Sequence, residues 1–379
     1  MTVRKLIIVL LAAVAAQAAG CGGGNGTETA PDARFPEDFV GIVTEDAFAQ
    51  VGGPGYRSAQ LAAQRRAGIG LVRQTFSWKT IEPRRGRYEL AYHDRFVLDA
   101  ARAGLTVMPI LFDTPGFYAR PVPRAAGHAA AVPRDLRAMA RFAVALERRY
   151  GRRGTLWAEH PDVPPRPITA WQIWNEPNLP AYWAGEPNAA EYVEMLRTVG
   201  SALRGVDPDA EIVTAGLPES RLGVPFATYL KEMYAAGAAG TFDTLAINAY
   251  SRRVSGIVAA ALSARRIMAS AEDGDRPIRI TEFGWATPAP GARSQVTVGP
   301  KTQAERVATA IRALAGRRER LRLRGVVYYA WRDARPWPGG QDFWGLHTGL
   351  LDMQGRPKPA LAALSRTVER LRKDDADHR

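Results

Sequence analysis

From residue 39 to residue 364, short β-rich runs alternate with longer stretches of helical period, and this alternation constrains the fold more than any other feature of the chain. Such an order is what parallel strands joined by helical crossovers look like in sequence. Eight runs read as strands: Phe39–Val43, Leu71–Thr75, Thr106–Phe112, Thr169–Trp174, Glu211–Ala215, Thr244–Asn248, Ile278–Thr281 and Gly325–Tyr329. Several are continuously apolar, as in Val326-Val327-Tyr328-Tyr329, which suits strands buried on both faces. Between them Tyr192, Leu196, Val199 and Leu203 recur at helical spacing, as do Val307, Ile311 and Leu314. Gly104 and Gly237 stand where helix C-termini favour glycine, and Pro359 where a helix start tolerates proline. An open doubly wound sheet usually carries a glycine-rich phosphate turn after an early strand, and none is present. The expectation is an α/β protein with one closed (β/α)8 TIM barrel over residues 38–373.

The N-terminus is a separate matter. Arg4 and Lys5 precede an apolar run, Leu6–Val14, too short to span a bilayer, so residues 1–20 read as an export signal. The run ends in Ala18-Ala19-Gly20-Cys21, which resembles a bacterial lipobox. Cys21 is the chain's single cysteine, and lipidation explains its presence in an exported protein. Residues 21–37, rich in Gly, Asn, Thr and Glu at first, read as a flexible tether. The expected location is the cell surface as a lipoprotein, or otherwise secretion, with the membrane engaged only through that anchor. The formal charge of +13 raises the question of nucleic acid. The excess is nearly all arginine, spread along predicted helix faces, as in Arg65, Arg102, Arg148, Arg204, Arg265 and Arg317. A solvated arginine-rich surface explains it, and no nucleic-acid partner is expected.

The long connections follow strands: Phe112 to about Pro133, Thr281 to Thr302, and Tyr329 to Pro359. In a barrel, loops after strands build the active site. The Pro-rich stretch Gly151–Pro167 precedes a strand and reads as structural. The strongest local signal is Ile173-Trp174-Asn175-Glu176-Pro177-Asn178 at the end of the fourth strand, where Pro177 is expected to hold Glu176 extended. The second is Ile278-Arg279-Ile280-Thr281-Glu282-Phe283-Gly284-Trp285, with a glutamate directly after the seventh strand. Two carboxyl groups facing one cleft are what glycosidic hydrolysis requires: an acid for the leaving oxygen and an anion for the developing oxocarbenium ion.

A Trp-Asn-Glu-Pro motif closing strand four and a Thr-Glu-Phe-Gly motif closing strand seven resemble the clan A glycoside hydrolases, with families 5 and 39 nearest. Phe76-Ser77-Trp78, Ile81-Glu82-Pro83, Gly345-Leu346 and Lys358-Pro359 extend the likeness. The resemblance implies a retaining double displacement on a carbohydrate substrate, with Glu176 as acid/base and Glu282 as nucleophile. It further implies that Asn175 binds the sugar 2-hydroxyl, that Arg73 and Tyr250 hold the nucleophile, and that Trp331 forms a floor under the reacting sugar. Asn248 stands where many members have a histidine, two residues before the tyrosine, and is counted with the substrate-binding residues. Phe112-Asp113 likewise offers no histidine after strand three. The carboxyl groups are expected about 5 to 5.5 Å apart. Trp183, Trp285, Trp331, Trp337 and Trp344 fall in loops after strands and are expected to meet sugar rings, whereas Trp171 and Trp174 are expected to pack. The five histidines lack metal-ligand spacing, so neither metal nor cofactor is expected. The alternative is a non-catalytic glycan-binding lipoprotein on the same barrel, against which the presence of both glutamates argues.

Overall fold

The computed structural model describes residues 35–44, 54–122, 129–289, 292, 294–336 and 340–377. Its strands are β1 Val40–Val43, β2 Leu71–Ser77, β3 Thr106–Phe112, β4 Ala170–Ile173, β5 Glu211–Val213, β6 Leu217–Pro218, β7 Leu245–Asn248, β8 Ile278–Phe283 and β9 Leu323–Tyr328. They lie in one sheet in the order β5-β4-β3-β2-β1-β9-β8-β7-β6, every neighbouring pair parallel. The two ends of this order are two halves of one stave. β5 pairs with β4, β6 pairs with β7, and only Thr214-Ala215-Gly216 separates them. Val213 bridges Thr244 in parallel, and the Thr214 N–H donates to the Thr244 carbonyl over 3.0 Å. The sheet is therefore closed, and the expected (β/α)8 barrel is observed with its fifth stave interrupted.

A helix follows each stave: α1 Pro54–Arg66, α2 Ala91–Arg102, α3 Leu136–Tyr150, α4 Ala189–Arg204, α5 Phe226–Ala235, α6 Val254–Ser270, α7 Pro300–Ala315 and α8 Pro359–Asp377. Local chemistry sets their ends. Asp135 and Asn188 accept hydrogen bonds from the Arg137 and Glu191 N–H groups and so cap α3 and α4. Gly104 and Gly237 follow α2 and α5 with φ of 75° and 81°, a backbone region that costs glycine nothing. Tyr192, Leu196, Val199 and Leu203 of α4 are fully buried against the sheet. A second apolar layer fills the barrel interior: Val43, Leu71, Met108, Ala170, Val213, Ala246 and Val327. The barrel is thus packed below and open above, so polar side chains from the strand ends stand on an apolar floor.

Residues 35–37, counted with the expected tether, are among the described residues and begin with a packed side chain. Phe35 is buried and its N–H donates to Asp375 Oδ2 over 2.8 Å. α8 continues past Lys373 to Asp377. Gly151–Pro167 lies before β4 and holds a short helix, Thr155–Glu159, whose Trp157 donates from its indole to the Gly151 carbonyl over 3.1 Å.

Candidate active site

Arg73, in the middle of β2, is fully buried. A guanidinium cannot shed its charge, so burial requires an anion and a full set of acceptors. Three elements supply them. Nε donates to Gln172 Oε1 of β4 over 2.7 Å, Nη1 to Glu282 Oε1 of β8 over 2.7 Å, and Nη2 to Asn175 Oδ1 over 3.0 Å. The second carboxylate oxygen of Glu282 accepts from the Tyr250 hydroxyl over 2.7 Å. Burial, and then the charge of Glu282, push the Tyr250 phenol well above its usual 10, so it stays a donor at any ordinary pH. Glu282 is thereby gripped at both oxygens, once by a cation.

Glu176 is held differently. Its Oε1 accepts from Asn248 Nδ2 over 2.7 Å, and its N–H donates to the Gly216 carbonyl over 3.3 Å. The expectation of extended backbone is corrected here: φ is 45° at Glu176 and 72° at Trp174. Proline constrains the residue before it chiefly in ψ, and a left-handed turn at Trp174 swings Glu176 out of the line of β4 and across to β7. Left-handed φ at a non-glycine residue costs on the order of 1 kcal/mol or more and persists only where neighbours enforce it. The indole of Trp174 donates to the Tyr182 carbonyl over 2.8 Å, and its N–H to the Leu111 carbonyl over 3.0 Å. Asp113, after β3, shows the same strain with φ of 75°.

Asn175, Glu176, Tyr250 and Glu282 line one cavity of about 830 Å³ at the strand ends, and Arg73 supports it from below. Asn248 reaches it through Glu176. Asn178, the last residue of the strand-four motif, is buried and donates from Nδ2 to the carbonyls of Pro218 and Val224 over 3.0 and 2.9 Å. It thus pins both ends of the loop that presents Glu219 and Arg221 to the cavity.

The aromatic expectations need correction. Trp331 is buried and donates to Gln60 Oε1 of α1 over 2.9 Å, away from the cavity. Past β9 the chain leaves the barrel and Arg332 bridges Leu351, which turns the indole outward. Tyr329, two residues earlier, lines the cavity instead, with Phe343 and Trp344. Trp344 meets Tyr250 edge-on at 4.8 Å, and Phe343 is 44% exposed. Trp183 and Trp285 are buried packing residues, the first against Trp174 at 6.0 Å and the second donating to the Ser251 carbonyl over 2.9 Å. Trp171 and Trp174 are fully buried. Trp337 and Cys21 lie outside the described residues. Sequence reading missed Tyr329, Phe343 and Arg221; the adjacent aromatic pair Phe343-Trp344 in a long post-strand loop was the available signal for the second of these. Among the described residues no group of three His, Cys, Asp or Glu side chains is placed to hold a metal ion.

No protein-family model matches the chain. No curated protein matches it either. Solved structures do. A family 39 glycoside hydrolase from Bacteroides cellulosilyticus WH2 superposes with a TM-score of 0.63 at 18% identity, over 90% of this chain and 64% of that one. A monomeric beta-xylosidase from Caulobacter crescentus CB15 gives 0.62 at 17%, over 86% and 67%. Xylanase 10B from Thermotoga maritima gives 0.59 at 16%, over 89% and 97%. The chain thus spans less than two thirds of the family 39 structure's length. At these identities the likeness defines the fold: this is a (β/α)8 barrel of the kind on which glycoside hydrolases of several families are built.

Proposed function

We propose that this protein is a retaining glycoside hydrolase that cleaves O-glycosidic bonds of a poly- or oligosaccharide, with Glu176 as acid/base and Glu282 as nucleophile. One observation carries the reading: two glutamates share a cavity at the strand ends but have opposite surroundings. Glu282, between Arg73 and Tyr250, is furnished to work as an anion. Glu176, bonded to a neutral amide, has the surroundings of a group that alternates between acid and base. In the first step a Glu282 oxygen bonds to the anomeric carbon while the bond to the leaving oxygen breaks and Glu176 transfers its proton to that oxygen. In the second, Glu176 takes a proton from water, whose oxygen bonds to the anomeric carbon and releases Glu282. The exposed ring of Phe343 and the face of Trp344 suit the apolar faces of sugar rings. Export through residues 1–20 and lipidation at Cys21 belong to the same proposal.

The test is a panel of aryl glycosides and polysaccharides, assayed with wild type, Glu176→Ala and Glu282→Ala, with and without azide. The Glu176 variant should be rescued on activated substrates and give a glycosyl azide of retained configuration. The Glu282 variant should give the inverted azide. The opposite pattern would exchange the two roles, and binding of polysaccharide without turnover of any glycoside would favour a glycan-binding protein.

A further inference from the structure

The amide that faces Glu176 is itself held from behind. Thr281, the residue before the nucleophile on β8, donates from Oγ1 to Asn248 Oδ1 over 2.8 Å, and Asn248 Nδ2 donates to Glu176 Oε1 over 2.7 Å. Asn248 and Thr281 are fully buried. Building on the assignment of Glu176 as acid/base, we infer that Thr281 and Asn248 form a relay that selects which oxygen of Glu176 carries the catalytic proton.

The two ends of an asparagine amide have nearly the same shape, so hydrogen bonding alone decides which end faces Glu176. With Nδ2 forward, Oε1 is occupied by a donor and the proton of neutral Glu176 sits on Oε2. With the amide reversed, the carbonyl would draw that proton onto Oε1, toward β7 and away from a leaving group. Thr281 has one proton to give and two acceptors in range: Asn248 Oδ1 at 2.8 Å and the Ile247 carbonyl at 3.3 Å. The shorter bond goes to Asn248 and fixes the productive orientation. With the amide reversed, the Thr281 oxygen would accept from Nδ2 and its proton would fall to the longer bond with the Ile247 carbonyl, so the observed orientation is the better bonded of the two.

The barrel makes room for this arrangement. A Cβ on Gly216 would stand 2.6 Å from both Asn248 Cγ and Thr281 Oγ1. Gly216 lies in the interruption between β5 and β6, which is where the relay crosses the barrel wall, and its carbonyl accepts the Glu176 N–H. Unlike an imidazole, the amide neither gains nor loses a proton as pH changes. Among the described residues, the charged and titratable groups around Glu176 include Glu282 from β8, Tyr250 after β7, Tyr329 after β9, Arg73 behind Asn175, Tyr182 on the loop after β4, and Glu219 and Arg221 on the loop after β6. The relay contributes a fixed dipole among them.

A role in proton delivery differs from a purely structural one in its dependence on the leaving group. The experiment measures kcat/KM for aryl glycosides of the sugar that wild type turns over fastest, from 2,4-dinitrophenyl to unsubstituted phenyl, with Thr281→Val, Thr281→Ser and Asn248→Ala. Thermal unfolding checks that each is folded, and the two Thr281 variants carry the test by themselves where Asn248→Ala does not fold. Thr281→Val and Asn248→Ala should lose about 10- to 100-fold on the phenyl glycoside and less than about threefold on the dinitrophenyl one, with Thr281→Ser close to wild type. The alkaline limb of the pH profile should move upward in Asn248→Ala, because the lost N–H favoured the ionised carboxyl. Equal losses on both substrates, or no loss, would overturn the relay while leaving the glycosidase standing. Wild type inert on every glycoside would sink the glycosidase reading and the relay with it.

Discussion

At the scale of single residues, Arg73 governs the site, because one buried cation fixes the positions of Gln172, Asn175 and Glu282 at once. Arg73→Met would strand the Glu282 carboxylate without a countercharge, and breaking a buried pair from one side costs about 3–5 kcal/mol. Chemical denaturation should show that loss, and an unchanged midpoint would mean that the charge of Glu282 is compensated elsewhere. Tyr250→Phe is a gentler probe: it keeps the ring against Trp344 and removes one donor from Glu282. A hydrogen bond to a charged group is worth about 1.5–3 kcal/mol, so stability should fall by up to that amount, and kcat/KM should fall roughly 10- to 100-fold as Glu282 loses the donor that orients it. Glu176, Glu282 and Asn175 stood out in the sequence because they lie in motifs at strand ends, where a barrel collects its working groups, whereas Arg73 and Tyr250 were named only through the resemblance to a family. The partner of Asn248 was not. Which carboxyl its amide meets depends on the register of β7 against β8, which shifts between Ile247 and Asn248, and no local pattern encodes that shift. Trp331 was misread for a related reason: its direction is set by where the chain leaves the barrel after Tyr328.

At the scale of elements, every stave lay where apolar β-rich runs predicted it, since strands buried on both faces announce themselves by continuous hydrophobicity. The break in the fifth stave was invisible, because Ala215 and Gly216 are unremarkable as text and their meaning lies in what crosses beside them. Gly216→Ala should therefore act as a catalytic lesion: its methyl displaces the Asn248 amide, and the loss should again be larger for poor leaving groups than for activated ones. A uniform loss would point to a general disturbance of the barrel instead. α3 carries a second element-scale prediction. Glu147, in its last turn, is buried, and burial together with the nearby charge of Asp207 raises its carboxyl from 4.5 to about 7. The negative end of the helix opposes ionisation as well. The folded state holds this proton more tightly than the unfolded chain does. Its stabilising contribution is therefore complete below pH 4.5 and is lost as pH rises through about 7. Glu147→Gln removes the titration, so the variant should gain on wild type in melting temperature between pH 5 and pH 8, by an amount on the order of 2–3 kcal/mol in stability. Parallel melting curves across that range would show that Glu147 is already solvated.

At the scale of the whole molecule, parallel staves place every strand start on one face and every strand end on the other. Glu176 follows the end of β4 and Glu282 is the next-to-last residue of β8, at the strand-end face, whereas Phe35 leads into β1 on the starting face, tied to Asp375 of α8 and lying under the Arg318 guanidinium at 5.8 Å. That starting face also collects paired arginines: Arg204 and Arg276 share Asp243 at 2.8 and 3.3 Å, and Arg322 meets Asp275 at 2.7 Å. The sequence presented these arginines as a solvated surface; their pairing across helix ends comes from the barrel bringing distant segments side by side. The Arg322–Asp275 pair is exposed and contributes about 0–1 kcal/mol, and the pairs at Asp243, only half-buried, are screened by solvent as well, so they do not hold the fold together. Phe35 enters the barrel on the face opposite the cavity, and Cys21, the proposed lipid site, precedes it in the chain. Cys21→Ser should move the protein from the membrane fraction to the soluble one while changing kcat/KM on small aryl glycosides by less than about twofold, because one lipid anchor alters location and not the cavity. Retention in the membrane fraction after that substitution would remove the lipid anchor from the proposal. A large change in small-substrate kinetics would mean instead that the segment carrying Cys21 bears on the cavity.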